Sequence, residues 1–419
     1  MSSGTCCASG AKPEGRVACI VIPARNGHHG QVIGVSGAAA RTDGAAAAFR
    51  VPDLARRLAG VRLRPDVHVT GPLDFCRDGD GWELVIDPPP VDRMEYLVEL
   101  CYPDGRRETV TDPGNPRQVA GAFGPKSVLE LPGYAPPGWL TAPAGPGTGH
   151  GFDLPVRSLD GVLAVRTWSP EGVRDDEELP LLLVHDGPEY DTLASLTRYL
   201  SAGVTGGWLP RLRAALLSPG PRDRWYSASA RYARALRHVV IPALAGRLAV
   251  SRRVGMGASL GGLAMLHAYC RYPDAVDALF LQSGSFFSPR FDRHERRFPY
   301  YRRITAFVAG VQGTPGHAGA GCGSTLPALP ALPALPALPA LPALSALSAL
   351  PALPARPVPV VLTCGVVEEN LENNRLMTQA LRAGGYPAAL HEVPDAHNYT
   401  AWRDAFDPHL TRLLRQMRA

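Results

Sequence analysis

Gly257-Ala258-Ser259-Leu260-Gly261 is the stretch on which the reading of this chain turns. Upstream, Leu248-Ala249-Val250 and Val254-Gly255-Met256 form an apolar run interrupted by Ser251-Arg252-Arg253. Downstream, Leu263, Met265, Leu266 and Tyr269 recur at helical spacing with no breaker before Pro273. The stretch reads as strand, sharp turn, helix. A G-x-S-x-G elbow requires that setting, because small residues two before and two after the serine let the backbone take a strained turn that lifts the hydroxyl out of the sheet. The N–H of Leu260, at the helix start, is then aimed at a developing oxyanion. In a chain with 44 glycines the bare pattern also arises by chance, or as an ordinary close-packed corner. The strand-turn-helix context is what gives it weight.

A serine nucleophile needs a base. Of the twelve histidines, His397 has the setting an α/β-hydrolase sheet demands: a short strand ends at Pro394, and a loop leads into an apolar helix around Trp402, Phe406 and Leu410. His267 lies on the elbow helix, two turns beyond the serine, and points away from the hydroxyl. His185 precedes a turn, and His391 alternates with apolar neighbours as on one face of a strand. The third member is a carboxylate between Ser259 and His397 in sequence. Val358 to Cys364 reads as a buried strand, and Gly365-Val366-Val367-Glu368-Glu369-Asn370 is the loop at its carboxyl end, where catalytic groups of open parallel sheets collect. Glu368 or Glu369 fits the role of holding the imidazole in one tautomer. At least one of the pair also fits a favourable charge at a helix N-terminus, and Glu372 fits the first turn of that helix.

These motifs together resemble a known family. Gly255-Met-Gly-Ala-Ser259-Leu-Gly-Gly-Leu-Ala-Met265, then Phe280-Leu-Gln-Ser-Gly-Ser-Phe286 and Pro394-Asp-Ala-His397-Asn-Tyr-Thr-Ala-Trp402, are similar to the enterochelin (ferric siderophore) esterase-like branch of the esterase D type α/β-hydrolases. Leu183-Val-His-Asp-Gly-Pro-Glu-Tyr190 and Arg222-Asp-Arg-Trp-Tyr-Ser227 strengthen the likeness, which covers roughly residues 155 to 419. The resemblance implies Ser259 as nucleophile, His397 as base and the Glu368 position as acid, where relatives often carry aspartate. It also implies two oxyanion donors, the N–H of Leu260 and one from the loop after an early strand, here His185 to Glu189. Pro188 has no N–H. The second donor is therefore Gly187 or Glu189, or the side chain of Tyr190, with Gly187 preferred.

Residues from about 46 to 150 have another texture. Short alternating runs, Val67-His68-Val69, Trp82 to Ile86 and Met94 to Leu100, are separated by turn clusters such as Asp78-Gly79-Asp80-Gly81 and Pro103-Asp104-Gly105. They predict a small β-sandwich, and its place before an esterase resembles the immunoglobulin-like accessory domain of the enterochelin esterases. Trp82, Tyr96 and Phe123 read more readily as sandwich core than as substrate contacts. Residues 1–45 are rich in Gly, Ala and Ser and read as a disordered tail. Its apolar run Val17–Ile22 is too short for a bilayer span, and no secretory signal is evident. Leu326 to Ala355 is ten tandem tripeptides, eight Leu-Pro-Ala and two Leu-Ser-Ala. Proline at nearly every third position forbids helix, so the stretch from about 313 to 356 is expected as an extended, disordered insertion in a hydrolase domain spanning 151–419.

At 419 residues the chain has room for both domains. Its formal charge of +5 is dispersed arginine, which disfavours nucleic-acid binding. The eight cysteines show no metal spacing; Cys101, Cys270 and Cys364 sit in apolar settings, and a reducing cytoplasm is the simplest compartment. The expectation is a serine ester hydrolase with no cofactor, no metal and no membrane partner. It acts on a small-molecule ester of siderophore or aryl type. Two alternatives stand beside it: an acyltransferase of the mycolyltransferase-like type, and a non-catalytic carbohydrate- or polymer-binding protein. An intact Ser, Glu and His set in this order speaks against the second.

Overall fold

The computed structural model describes Arg41–Thr42 and residues 46–313, 353–354 and 356–417. Nearly all of the expected tail, and all but the edges of the expected repeat insertion, lie outside the described residues. The chain forms two compact units. The smaller runs to Pro137 and takes in Gly365–Glu368 and Glu392–Ala401; the larger holds the remainder.

The smaller unit is built of antiparallel strands in two sheets. One has the order β1 (Arg41–Thr42), β2 (Ala47–Pro52), β5 (Gly81–Ile86), β4 (Cys76–Asp78). The other has β3 (Gly60–Pro65), β6 (Arg93–Cys101), β9 (Lys126–Glu130), β8 (Gln118–Val119), with β7 (Arg107–Val110) also paired to β6. Strand β2 alternates buried with less buried positions, which sends Ala47, Phe49 and Val51 inward as a period of two requires. They meet Trp82, Leu84 and Ile86 of β5 and Leu63, Met94, Tyr96 and Val98 of the second sheet in one apolar core. The polar ends of the core aromatics are satisfied: Trp82 Nε1 donates to Asp53, and the Tyr96 hydroxyl donates to Asp112 Oδ2 at 2.7 Å.

Three expectations change here. The strand expected at Val67-His68-Val69 is absent; the strand is β3, just before it, where Val61 and Leu63 alternate with Arg62 and Arg64. Val67 and Val69 still reach the core, but from irregular chain. Phe123, expected in the core, is fully exposed on the turn between Gly121 and Gly124. Finally, the boundary expected between residues 150 and 151 falls inside a strand: Gly147 already opens a strand of the large sheet.

That sheet has the order β10 (Gly147–Val156), β11 (Gly161–Pro170), β13 (Arg213–Leu217), β12 (Leu179–His185), β14 (Val250–Ala258), β15 (Ala278–Gln282), β16 (Val360–Gly365), β17 (Ala388–Val393). The β10–β11 and β11–β13 pairs are antiparallel, whereas β13, β12, β14, β15 and β16 run parallel. Strands β12, β13 and β15 are buried at every position. Helices cover parallel sheets on both faces, which explains why these strands read as continuous apolar runs. After β12 the chain crosses to β13 on one side and then to β14 on the other. The order therefore reverses at the β12–β14 pair, and a crevice opens at the carboxyl ends of such a pair.

Candidate active site

Ser259 stands at that reversal, between the end of β14 and the helix Leu260–Arg271. Its backbone adopts φ 54° and ψ −122°, a strained conformation for a residue with a Cβ. The glycines explain how the turn is accommodated. A Cβ on Gly257 would lie 2.5 Å from the carbonyl carbon of Gly261, so only glycine lets strand and helix approach this closely. Ser259 N donates to Gln282 O, and Ser285 N donates to Ser259 O, so the elbow is tied to the end of β15 on both sides. The Ser259 hydroxyl is half-buried and lies 3.0 Å from the hydroxyl of Ser285.

Leu260 opens the elbow helix, and Gly187 opens the helix Gly187–Ala194 after β12. First-turn N–H groups have no acceptor within their own helix, which leaves both free to face an anion. Of the other candidate donors, Tyr190 is fully buried and its hydroxyl donates to Gln282 Oε1 at 2.8 Å. Asp186, also at positive φ, is held by a two-pronged contact with Arg222: Nε to Oδ1 at 3.0 Å and Nη2 to Oδ2 at 2.9 Å. The same guanidinium reaches Ala258 O at 3.4 Å and so spans from the Gly187 turn to the elbow. His185 is buried behind them with Nδ1 2.9 Å from Gly261 O; burial pushes its imidazole down to about 4, so it stays neutral. His267 packs edge-on against Phe307, with burial pushing it down to about 3, and His391 stacks on His409. None of these three is placed as a general base.

In the smaller unit, His397 Nδ1 lies 2.7 Å from Glu368 Oε2. The other carboxylate oxygen, Oε1, accepts from Gly365 N at 2.7 Å, so Glu368 is fixed at both ends. Its side chain is 1% exposed whereas the imidazole is 42% exposed, the arrangement of a buried orienter behind an accessible base. Glu369 is 84% exposed and pairs with His294 at 3.2 Å. Glu372 pairs with Arg375 within its own helix. Of the adjacent glutamates left open in the sequence, Glu368 is the one beside His397.

Sequence reasoning assigned no role to Ser285, Arg222 or Asp186. Each lies in a motif that carried the family likeness, but only the fold shows what it touches. The Ser283–Ser285 turn is held by Asn374, whose Nδ2 donates to Gly284 O at 3.0 Å and whose Oδ1 accepts from Gly284 N at 3.0 Å. Trp402 adds an indole N–H to the Ser283 hydroxyl at 3.0 Å. Among the described residues there is no cluster of His, Cys, Asp and Glu able to hold a metal ion, and no helix long and apolar enough to cross a membrane.

Neither a family model nor a curated protein matches this sequence. Its fold is shared with solved enterobactin esterases. The enzyme from Shigella flexneri, crystallised in the presence of enterobactin, superposes with a TM-score of 0.66 over 90% of this chain and 95% of that one, at 17% identity. Ferric enterobactin esterase from Salmonella typhimurium gives 0.63 over 88% and 93%, at 18% identity.

Proposed function

We propose that the chain is a serine ester hydrolase working through an acyl-enzyme. Ser259 is the nucleophile, His397 the general base and Glu368 the carboxylate that orients it. The observation that supports this reading most is the strained backbone of Ser259 at the β12–β14 reversal, φ 54° and ψ −122°. Strain of that kind at a strand-to-helix turn is a cost with no packing return and fits a hydroxyl presented for attack. The Glu368–His397 pair, and the chain order serine, acid, histidine, support it independently.

In this reading Ser259 Oγ adds to the ester carbonyl as its proton passes to His397. The imidazolium that forms is stabilised by Glu368 through Nδ1–H. The N–H groups of Leu260 and Gly187 hold the tetrahedral oxyanion. Collapse breaks the carbonyl–alkoxy bond, and His397 returns the proton to the departing alcohol. Water, activated by the same imidazole, then frees the acyl group as a carboxylic acid. The substrate is a small-molecule ester, and the shared fold makes an enterobactin-type lactone the first to test. The two-sheet unit, which runs to Pro137, is assigned as an immunoglobulin-like accessory sandwich, and the chain built on the eight-stranded sheet as the hydrolase domain.

Hydrolysis of enterobactin and of a simple phenyl ester by the wild type and by Ser259→Ala tests the proposal. Loss of the nucleophile should lower kcat by about 10⁴-fold or more. A Ser259→Ala protein that hydrolyses both esters at the wild-type rate would remove Ser259 from the chemistry.

A further inference from the structure

We propose that Arg93, on β6, is a positioning residue for the general base: its guanidinium fixes the Pro394–Asn398 loop and thereby the imidazole of His397. The inference rests on the esterase reading above and adds a residue to it.

Arg93 is 1% exposed on β6, on the face that also carries the buried Glu95 and Glu99 and opposite the one that sends Met94, Tyr96 and Val98 into the apolar core. Its Nε donates to Asp395 Oδ2 at 2.9 Å, and Nη2 donates to Asn398 Oδ1 and to Glu95 Oε1. Asp395 and Asn398 bracket Ala396-His397, so one guanidinium grips the chain on both sides of the base. The grip is reinforced along the backbone. Asp92 N, next to Arg93, donates to Pro394 O at 2.7 Å; Asp395 Oδ1 accepts from Ala396 N at 2.7 Å; Ala401 N donates to Asn398 Oδ1 at 2.9 Å. Ala396 and Val367 pack into the same apolar core as Phe49 and Tyr96. The acid's loop is in contact too, since a Cβ on Gly365 would lie 2.2 Å from Asp395 O.

A buried guanidinium between carboxylates is a poor way to stabilise a fold. Apolar side chains of similar volume serve as well or better, because both charges must be stripped of water. What the ion group supplies is direction: a planar fork with fixed donor angles admits one arrangement of Asp395 and Asn398. Sub-ångström placement of a base matters to rate, whereas general cohesion does not require it. Lys126 lies 3.5 Å from Glu95 and 3.7 Å from Asp66, which completes the charge group around the clamp.

The test is Arg93→Lys in the full chain, which keeps the charge and loses the fork. Fluorophosphonate titration counts competent sites, so kcat is expressed per titrated site. We expect kcat per site to fall at least about tenfold with KM within about twofold. We also expect the downfield Nδ1–H proton resonance of His397, assigned by its loss in His397→Gln, to shift or broaden. A merely structural arginine would lower thermal stability and the number of sites while leaving both readouts unchanged, and that result overturns the proposal. If Arg93→Lys does not fold, Asp395→Asn, which keeps the loop's shape, is read by the same two measurements with the same expectation. A wild type that titrates no serine but keeps the His397 resonance sinks the esterase reading and this inference with it. A normal titration with unaltered variants sinks only this one.

Discussion

At the scale of single residues, two adjacent carboxylates, Glu368 and Glu369, have the same chemistry and opposite surroundings. Glu368 is buried against Gly365 N and His397; Glu369 is exposed beside His294. A triad carboxylate that fixes a tautomer is worth up to about 10⁴ in rate, whereas an exposed ion pair contributes little. Glu368→Gln should therefore lower kcat at least about tenfold, and Glu369→Gln should leave it within about twofold. Steady-state kinetics of the two variants on one aryl ester decides, and the opposite ranking would move the acid to Glu369. The sequence left this choice open for a physical reason. Burial is set by what packs over a side chain, and nothing in Val-Val-Glu-Glu-Asn distinguishes the two. Ser259 and His397 stood out in the sequence because each occupies a junction between elements of different period, which sequence does record. Ser285 did not, because a hydroxyl opposite that of Ser259 is a property of two strand ends separated by a crossover.

At the scale of elements, the elbow depends on close approach of β14 and the helix that follows it. Gly257→Ala places a methyl group within 2.5 Å of the Gly261 carbonyl carbon, and backbone cannot yield as a flexible side chain does. We expect a loss of about 1–3 kcal/mol in urea denaturation, with activity lost in the protein that still folds. An unchanged midpoint would show that the turn is looser than described. The elements misread in sequence share a cause. β3 was overlooked because only two inward apolar residues, Val61 and Leu63, precede Pro65, and β10 because Gly147, Gly149 and Gly151 carry no side chain to mark a strand face. The first five positions of β10 are exposed and only Phe152, Leu154 and Val156 pack on the core, so its start leaves no periodic signal. The strands of the large sheet read from sequence were those whose runs end at a candidate site residue's turn or loop: β14 before Ser259, β16 in the run from Val358 to Cys364, and β17 before Pro394.

At the scale of the whole molecule, the smaller compact unit holds two carboxyls that burial raises well above their ordinary value. Burial, reinforced by Glu95, pushes the Asp66 carboxyl up to about 7 against the pull of Lys126 and Arg93; its side chain is 16% exposed although its backbone faces solvent. Burial likewise pushes Asp395 up to about 6 despite Arg93. A carboxyl raised in the folded state gives stability that is full below its ordinary value of 3.8 and is lost as pH rises through the folded value. These two groups therefore weaken the smaller unit progressively between about pH 4 and pH 7. Asp66→Asn keeps the neutral form at every pH. Its Tm relative to wild type should rise between about pH 5 and pH 8, and a difference independent of pH would show that Asp66 is not raised. The change of texture between short punctuated strands and long apolar runs is what the sequence offers on domain organisation, and it placed the division at 150 where the compact units divide after Pro137. The return of Gly365–Glu368 and Glu392–Ala401 to the smaller unit was not legible, because no local pattern encodes which unit a loop joins.

The central claim, that Ser259 is an activated nucleophile, is tested most directly by covalent labelling. The full chain is treated with a fluorophosphonate, and the modified peptide is located by mass spectrometry. The account predicts one phosphonate adduct, on the Ser259 hydroxyl, formed by the wild type and abolished by Ser259→Ala. Labelling that persists in Ser259→Ala, or a folded wild type that takes no label, would contradict it.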